Sequence, residues 1–344
     1  MYYFNSDYTE GCHPDILAKL AATNMDQTTG YGLDPYCDEA RELIKKAFSC
    51  PQADVHFLVG GTQTNLTVIC AALRPHQAVY GAVPSHINTH EAGAIEHVGH
   101  RVLPLPSADG KLTAEQIAEA WKKYDTDPSR EHWAQPKMVY ISQPTEIGSM
   151  YSKKELSELY SVCRAAGLYL FIDGARLGYA LGTPSNDLTM ADIAANCDVF
   201  SIGGTKCGLL FGEAVVILND ELKPDFRTIA KQNGAILAKG RLLGVQFAEA
   251  FRNNLYTDIC QKGTMQALKI KQALIDCGFS FVTDSPTNQQ FVIMTPQQYK
   301  KLSQDFVLSL IEYLPDGNYS VRICTSWATL DTEVDKLIEA IKTL

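Results

Sequence analysis

The chain is expected to fold as an α/β protein with a mostly parallel sheet in a large domain and a smaller C-terminal α+β domain. Short apolar runs that read as buried strands alternate with amphipathic helical stretches through the first 240 residues, the pattern of a sheet covered on both faces. Beyond residue 240 this alternation gives way to long helices and two isolated strands. The length, 344 residues, also exceeds what one small domain needs. These observations divide the chain into an N-terminal arm at 1–20, a large domain at 21–240 and a small domain at 241–344.

The first dozen residues are polar and aromatic without periodicity, and read as an arm. Asp38 to Phe48 has the spacing of an amphipathic helix. Val55-His56-Phe57-Leu58-Val59 is a short strand, followed by Gly60-Gly61-Thr62 and a helix that runs through Leu73 and stops before Pro75. Ala78 to Ala82 is the next strand and Glu91 to His97 the next helix. A helix near Ala114–Tyr124 leads to a strand at Lys137-Met138-Val139-Tyr140-Ile141. Lys153 to Ala166 places apolar residues at 156, 159, 162, 163 and 166 and ends at Gly167, which predicts a helix with a glycine stop. Strands follow at 168–172, 199–202 and 214–218. The second half holds a helix from Leu242 to Phe251 that resumes after a break near Thr257 and runs to Cys277. It is followed by strands at 291–294 and 319–323 and a last helix from Thr332 to Thr343.

Composition excludes several classes of function. With a formal charge of −9 and no Lys/Arg-rich stripe, the chain lacks the cations that neutralise nucleic-acid phosphates. No uninterrupted apolar run reaches membrane-spanning length, and no charged segment precedes an apolar leader, so no membrane partner is expected. Ten scattered cysteines without a C-x-x-C pair fit reduced thiols in a cytoplasmic protein. His86 and His90 are four residues apart and Glu91 follows, but Ala94 stands where H-E-x-x-H needs its second histidine, so no metal site is expected.

The chemistry is carried by two strand ends. Asp173 follows the run Leu168–Ile172, and Lys206 follows Val199–Ile202, 33 residues later. A parallel sheet sets such residues side by side at its carboxyl edge, where open α/β sheets bind ligands. This pair is what a pyridoxal phosphate enzyme requires: a lysine to form a Schiff base with the aldehyde and a carboxylate to keep the ring nitrogen protonated. Gly61 and Thr62 open a helix directly after a strand, where free N–H groups and a hydroxyl can hold a phosphate, although Gly-Gly turns at strand ends are common. His86 can stack on a flat ring and move a proton, or be an ordinary loop histidine. Arg176 and Arg322 are natural clamps for a carboxylate; for Arg322 a surface ion pair is the plain alternative.

Together these residues resemble the low-specificity L-threonine aldolases, in the β-eliminating-lyase branch of fold-type I pyridoxal phosphate enzymes, over nearly the whole chain. Phe4-Asn5-Ser6-Asp7 is similar to the family's R-S-D segment, Tyr31-Gly32-x-Asp34-Pro35 to Y-G-x-D-P, and Gly60-Gly61-Thr62-x-x-Asn65 to S-G-T-x-x-N. Ser85-His86-Ile87, Glu91-x-Gly93-Ala94 and Ile172-Asp173-Gly174-Ala175-Arg176 match S-H-I, E-x-G-A and H-I-D-G-A-R. Lys206 and Arg322 fall at the S-K-G lysine and the R-x-x-T arginine.

The resemblance implies that Lys206 binds the cofactor aldehyde, Asp173 the pyridine nitrogen, His86 the ring face, and Gly61 with Thr62 the phosphate. It assigns the substrate carboxylate to Ser6, Arg176 and Arg322. Tyr31 is placed near the phosphate or the substrate, reaching in from a neighbouring subunit. The family's assembly implies a homotetramer of dimers with shared sites.

Two departures stand out. The lysine motif reads Thr205-Lys206-Cys207-Gly208. Where many members carry E-N-T-H this chain has Ser142-Gln143-Pro144-Thr145-Glu146, without the histidine expected to help bind a substrate hydroxyl. The expected reaction is retro-aldol cleavage of L-threonine, L-allo-threonine or a related β-hydroxy-α-amino acid to glycine and an aldehyde, with His86 the candidate base. The alternatives are a pyridoxal phosphate β-eliminating lyase or aminotransferase acting on another amino acid, and a non-catalytic protein that keeps the fold.

Overall fold

Residues 1–344 are described by a computed structural model. Chain order gives strands β1 (Tyr2–Tyr3), β2 (Asp54–Leu58), β3 (Gln77–Ala82), β4 (Arg101–Leu105), β5 (Gln135–Ser142), β6 (Tyr169–Asp173), β7 (Val199–Gly203) and β8 (Glu213–Ile217). All but β1 form one sheet in the order β2-β8-β7-β6-β5-β3-β4. Its pairings are parallel except those of β8, which lies antiparallel to both β2 and β7. The reversal has a simple cause. Parallel neighbours need a crossover, usually a helix, but only the short loop 204–212 joins β7 to β8, so the chain must double back.

Alternation along the strands serves two apolar layers. Val139, Ile141, Leu170, Ile172, Phe200 and Ile202 pack on one face of the sheet, and Met138, Tyr140, Phe171 and Val199 on the other. After helices α1 (Pro14–Ala22) and α2 (Pro35–Ala47), the helix α3 (Gly61–Ala72) covers the second face with Val68 and Ile69. The predicted helices at 114 and 153 are found at Ala114–Asp125 and Lys153–Ala165, each opened by a reciprocal capping box, Thr113 with Gln116 and Ser152 with Glu155. The helix expected at 91–97 is shortened to Ala94–His97 by the left-handed residues Ala92 and Gly93, and a separate short helix, α4 (His86–Thr89), precedes it. The break in the long C-terminal helix lies at Arg252–Asn254 rather than near Thr257, because Asn253 and Asn254 take left-handed conformations that asparagine tolerates. β4 is absent from the sequence reading because Pro104 interrupts its apolar run; it is the sheet's edge strand, where proline is tolerated.

The C-terminal part contains β9 (Phe281–Thr283), β10 (Gln289–Met294), β11 (Phe306–Val307), β12 (Ser309–Tyr313) and β13 (Tyr319–Cys324). Four of these form an antiparallel sheet ordered β12-β13-β10-β9, and β11 pairs in parallel with β1. The N-terminal residues are therefore not a loose arm. Phe4 is fully buried in the C-terminal core beside Phe306, its N–H donates to Val307 O at 2.9 Å, and its carbonyl accepts from Cys324 N at 2.7 Å. Residue 20, the expected edge of the arm, lies inside the helix Pro14–Ala22, which packs against Arg241–Phe251. No helix is long and apolar enough to cross a membrane.

Candidate active site

The carboxyl ends of β5, β6 and β7 and the N-termini of α3 and α4 enclose a cleft of about 380 Å³, which brings together Gly61, His86, Asp173, Arg176 and Lys206. Asp173 ends β6 on the same face as Phe171, two residues earlier, and Tyr140 occupies that face of β5. Asn65 lies one turn beyond Gly61 on α3, on the side that meets the sheet. Three elements thus converge on one carboxylate. Tyr140 Oη donates to Asp173 Oδ2 at 2.5 Å and Asn65 Nδ2 at 2.9 Å, while the Ala175 N–H reaches Oδ1 at 2.9 Å. Burial alone would raise the Asp173 pKa. The nearby His86 charge and these hydrogen bonds outweigh it, and the carboxyl stays ionised below its ordinary range.

His86 opens α4, and its Nδ1 lies 2.7 Å from Glu91 Oε1, which also accepts from Asn65 at 2.6 Å. Burial pulls the histidine pKa down, but Glu91 and Asp173 pull it up further, so the imidazole is more basic than usual. Asn65 therefore links Asp173 to the Glu91–His86 pair. Glu146 reaches in from the loop after β5: its Oε1 accepts from the His86 backbone N–H at 2.9 Å and from Ser142 Oγ at 2.6 Å. Burial raises its pKa.

Lys206 sits in the loop between β7 and β8, and its amine has no hydrogen bond or ion pair within the chain. Burial, reinforced by Arg176, lowers its pKa and favours the neutral, nucleophilic amine. Behind it Glu213, at the start of β8, is pushed up to about 8 by burial and keeps one buried oxygen unpartnered. Two glycines set the spacing of Asp173 and Lys206. A Cβ on Gly174 would lie 2.1 Å from Ser201 O, and one on Gly203 would lie 2.1 Å from Ala175 O. The strand ends cross here in direct backbone contact, with Gly203 N donating to Gly174 O at 2.8 Å.

Gly61 and Thr62 are the first two residues of α3, whose leading N–H groups have no intrahelical acceptor. A Cβ at Gly60 or Gly61 would meet nothing within 4 Å, so the space before this helix end is open. Thr62 is exposed there.

The far side of the cleft differs from the expectation for Arg176 as a free clamp. Its guanidinium is already paired bidentately with Asp7, Nε to Oδ2 at 2.6 Å and Nη2 to Oδ1 at 3.1 Å, because a buried cation requires a counterion. Only Nη1 has no partner within the chain. Asp7 also accepts from Asn288 Nδ2 at 2.9 Å, so this one carboxylate ties the large domain to the small one. Ser6 is buried beside it. Arg322, on β13, donates to the Asn5 carbonyl at 2.8 Å and Gln289 Oε1 at 3.2 Å, and keeps a buried Nε without a partner. Tyr31 is not brought to this cleft. It is half exposed, with a left-handed backbone, and borders a separate depression with Arg227 and Gly240.

Asn65, Glu91, Tyr140, Glu146 and Asp7 were assigned no role from sequence. Asn65 and Glu91 lay inside matched motifs, and a tyrosine within a buried strand always needs a partner for its hydroxyl. Asp7 also lay inside a matched motif, Phe4-Asn5-Ser6-Asp7, whereas Glu146 gave no comparable signal.

The chain as a whole is similar to known proteins. The chain is 29% identical to the low-specificity L-threonine aldolase of a Pseudomonas species, over 98% of this chain and 96% of that one. A solved threonine aldolase from Leishmania major superposes with a TM-score of 0.97 at 45% identity, covering 100% of this chain and 99% of the other. A serine palmitoyltransferase from Sphingomonas wittichii, at 14% identity and TM-score 0.72 over 99% and 86% of the two chains, shares the fold alone, the fold-type I architecture expected from the sequence. Residues 4–298 match the β-eliminating lyase family, and with that span, most of both domains, the chain belongs to it.

Proposed function

We propose that the protein is a pyridoxal-phosphate-dependent carbon–carbon lyase that cleaves L-threonine, L-allo-threonine or a related β-hydroxy-α-amino acid into glycine and an aldehyde. The observation that carries this is the buried, ionised Asp173 facing an unpaired, low-pKa Lys206 across one small cleft, in a chain so similar to threonine aldolases. The residues present fit the cofactor: a free amine, a carboxylate already held by three donors, and an open helix N-terminus.

When bound, pyridoxal phosphate supplies an aldehyde that captures amines and a conjugated ring that accepts the electron pair left at Cα. Lys206 would hold that aldehyde, and Asp173 would keep the proton on the ring nitrogen. His86 would cover the ring face, its orientation fixed by Glu91. Gly61 and Thr62 would bind the phosphate through the N–H groups of α3, with the Thr62 hydroxyl as a further donor. Arg176, through Nη1, and Arg322, with Ser6 beside them, would grip the substrate carboxylate. That grip orients the Cα–Cβ bond for cleavage. Tyr31 would enter from a neighbouring subunit of a homotetramer built from dimers with shared sites, which accords with its distance from the cleft of its own chain. The ten free cysteines are consistent with a place in the cytoplasm.

Glycine release should be assayed across L-threonine, L-allo-threonine, their D-forms and phenylserine. Release from at least one β-hydroxy substrate is expected, along with a yellow protein bleached by borohydride. Turnover that depends on an added 2-oxo acid, or that yields pyruvate and ammonia instead of glycine, would overturn the reading.

A further inference from the structure

Of the carboxyl groups around the cleft, Asp173, Glu91 and Glu213 present no unpartnered oxygen to it. Asp173 accepts from Tyr140, Asn65 and Ala175. Glu91 uses Oε1 for both His86 and Asn65, and its Oε2 is buried away from the cleft. Glu213 sits behind the lysine loop and does not line the cleft. Glu146 is different. It lines the cleft with Lys206 and Arg176, its Oε1 is held by the His86 N–H and the Ser142 hydroxyl, and its Oε2 has no partner within the chain.

The loop that carries Glu146 is rigidly set. Gln143 and Tyr151 exchange two hydrogen bonds, at 2.9 and 3.2 Å, and Thr145 Oγ1 meets Ser149 Oγ at 2.7 Å. Ser149 Oγ in turn donates to Asp109 O at 2.5 Å. A carboxylate held by one oxygen in a rigid loop, with the other oxygen open to a ligand, is built as a proton acceptor of fixed position. His86 is less suited to that task, since Glu91 already occupies Nδ1 and a stacking ring presents its flat face rather than its nitrogens.

We propose that Glu146 is the catalytic residue that takes the proton of the substrate's β-hydroxyl; this rests on the reading of the protein as a β-hydroxy-α-amino acid lyase. The hydroxyl proton passes to Glu146 Oε2, and the O–H electron pair becomes the second bond of the aldehyde carbonyl. The Cα–Cβ bond breaks and its pair is left at Cα, where the bound cofactor would accept it, until a solvent-derived proton completes glycine. Glu146 releases its proton to water after the aldehyde leaves. Burial raises the Glu146 pKa toward the working range of a general base, which suits this role.

The test is Glu146→Gln in the holoenzyme, read in three ways: cleavage of the best β-hydroxy substrate, solvent exchange of the glycine Cα proton, and glycine affinity from the change in cofactor absorbance. Neither of the last two reactions involves a hydroxyl. The expected result is a fall in kcat for cleavage of about 10²–10⁴-fold, with glycine exchange and glycine affinity preserved. Glu146→Asp, which keeps the carboxylate, should recover part of the cleavage rate. Cleavage by Glu146→Gln at the wild-type rate would overturn the proposal while leaving the lyase reading intact. Equal losses in cleavage and in glycine exchange, or loss of cofactor from both variants, would also overturn it by assigning Glu146 to site architecture. A wild-type protein that cleaves no β-hydroxy substrate would instead remove the reading on which the proposal stands.

Discussion

The two sides of the cleft are held by different physics. On the sheet side, Asp173 and Lys206 stand at the ends of β6 and β7, fixed by apolar layers on both faces and by backbone contact at Gly174 and Gly203. On the opposite side, Asp7 and Arg322 are fixed by polar contacts between segments far apart in the chain. Asp7 bonds Arg176 and Asn288, and Arg322 bonds the Asn5 carbonyl. The sheet side can be altered only by disturbing close packing, whereas the other side depends on a few buried charges whose loss leaves partners stranded. A cofactor bound in one pose suits the first construction, and a substrate that must enter and leave suits the second.

Substitutions can break this contrast, starting with the largest effect. Lys206→Ala should abolish turnover and the borohydride-sensitive absorbance while leaving the thermal unfolding of the apoprotein essentially unchanged, because the amine has no structural partner. Retained full activity would remove Lys206 from the chemistry. Asp7→Ala strands a buried guanidinium and should cost about 3–5 kcal/mol of stability, measured by denaturant unfolding, together with a raised KM for the amino acid. Unaltered stability would show that the far side does not depend on this pair.

The same pair makes a prediction about pH. Burial alone would raise the Asp7 pKa, but Arg176 and Lys206 hold it below the ordinary value of 3.8. The folded pKa is therefore the lower one. Its stabilisation is present above pH 3.8 and is lost as pH falls through the folded value. Asp7→Asn should reduce that acid-side loss in unfolding experiments.

On the sheet side, Asn65→Ala removes the donor shared by Asp173 and Glu91 and should cost about 1–3 kcal/mol, visible as a lower melting temperature of the holoenzyme. The smallest effect is expected at His86. His86→Phe keeps a flat ring and should retain the cofactor, whereas His86→Ala gives up a stacking contact worth about 0.5–1.5 kcal/mol, read as weaker cofactor binding. Equal affinity of the two variants would argue against stacking.

The contrast also explains what could be read from the sequence. Strands such as Leu168–Ile172 and Val199–Ile202 announce themselves by apolar runs, and a polar residue at or just past the end of such a run points to a site, which is how Asp173 and Lys206 were legible. The Tyr2–Tyr3 strand was not, because its partner β11 is some three hundred positions away in sequence and only two residues long. Arg176 reads as a free carboxylate clamp, and only the fold, by bringing Asp7 to it, shows that most of its guanidinium is already paired. Glu146 was hidden behind a missing histidine: its value as a proton acceptor comes from which of its two oxygens the neighbours leave free.

The glycine crossing beneath Asp173 and Lys206 has a further consequence for how this scaffold can diversify. With backbone against backbone at Gly174 and Gly203, no side chain can be inserted to tilt the amine relative to the carboxylate, so the distance between them cannot be adjusted by point mutation. New substrate preferences, natural or selected in the laboratory, must therefore come from the 142–149 loop, the N-terminal segment and the C-terminal sheet, and mutant libraries are best confined to those segments.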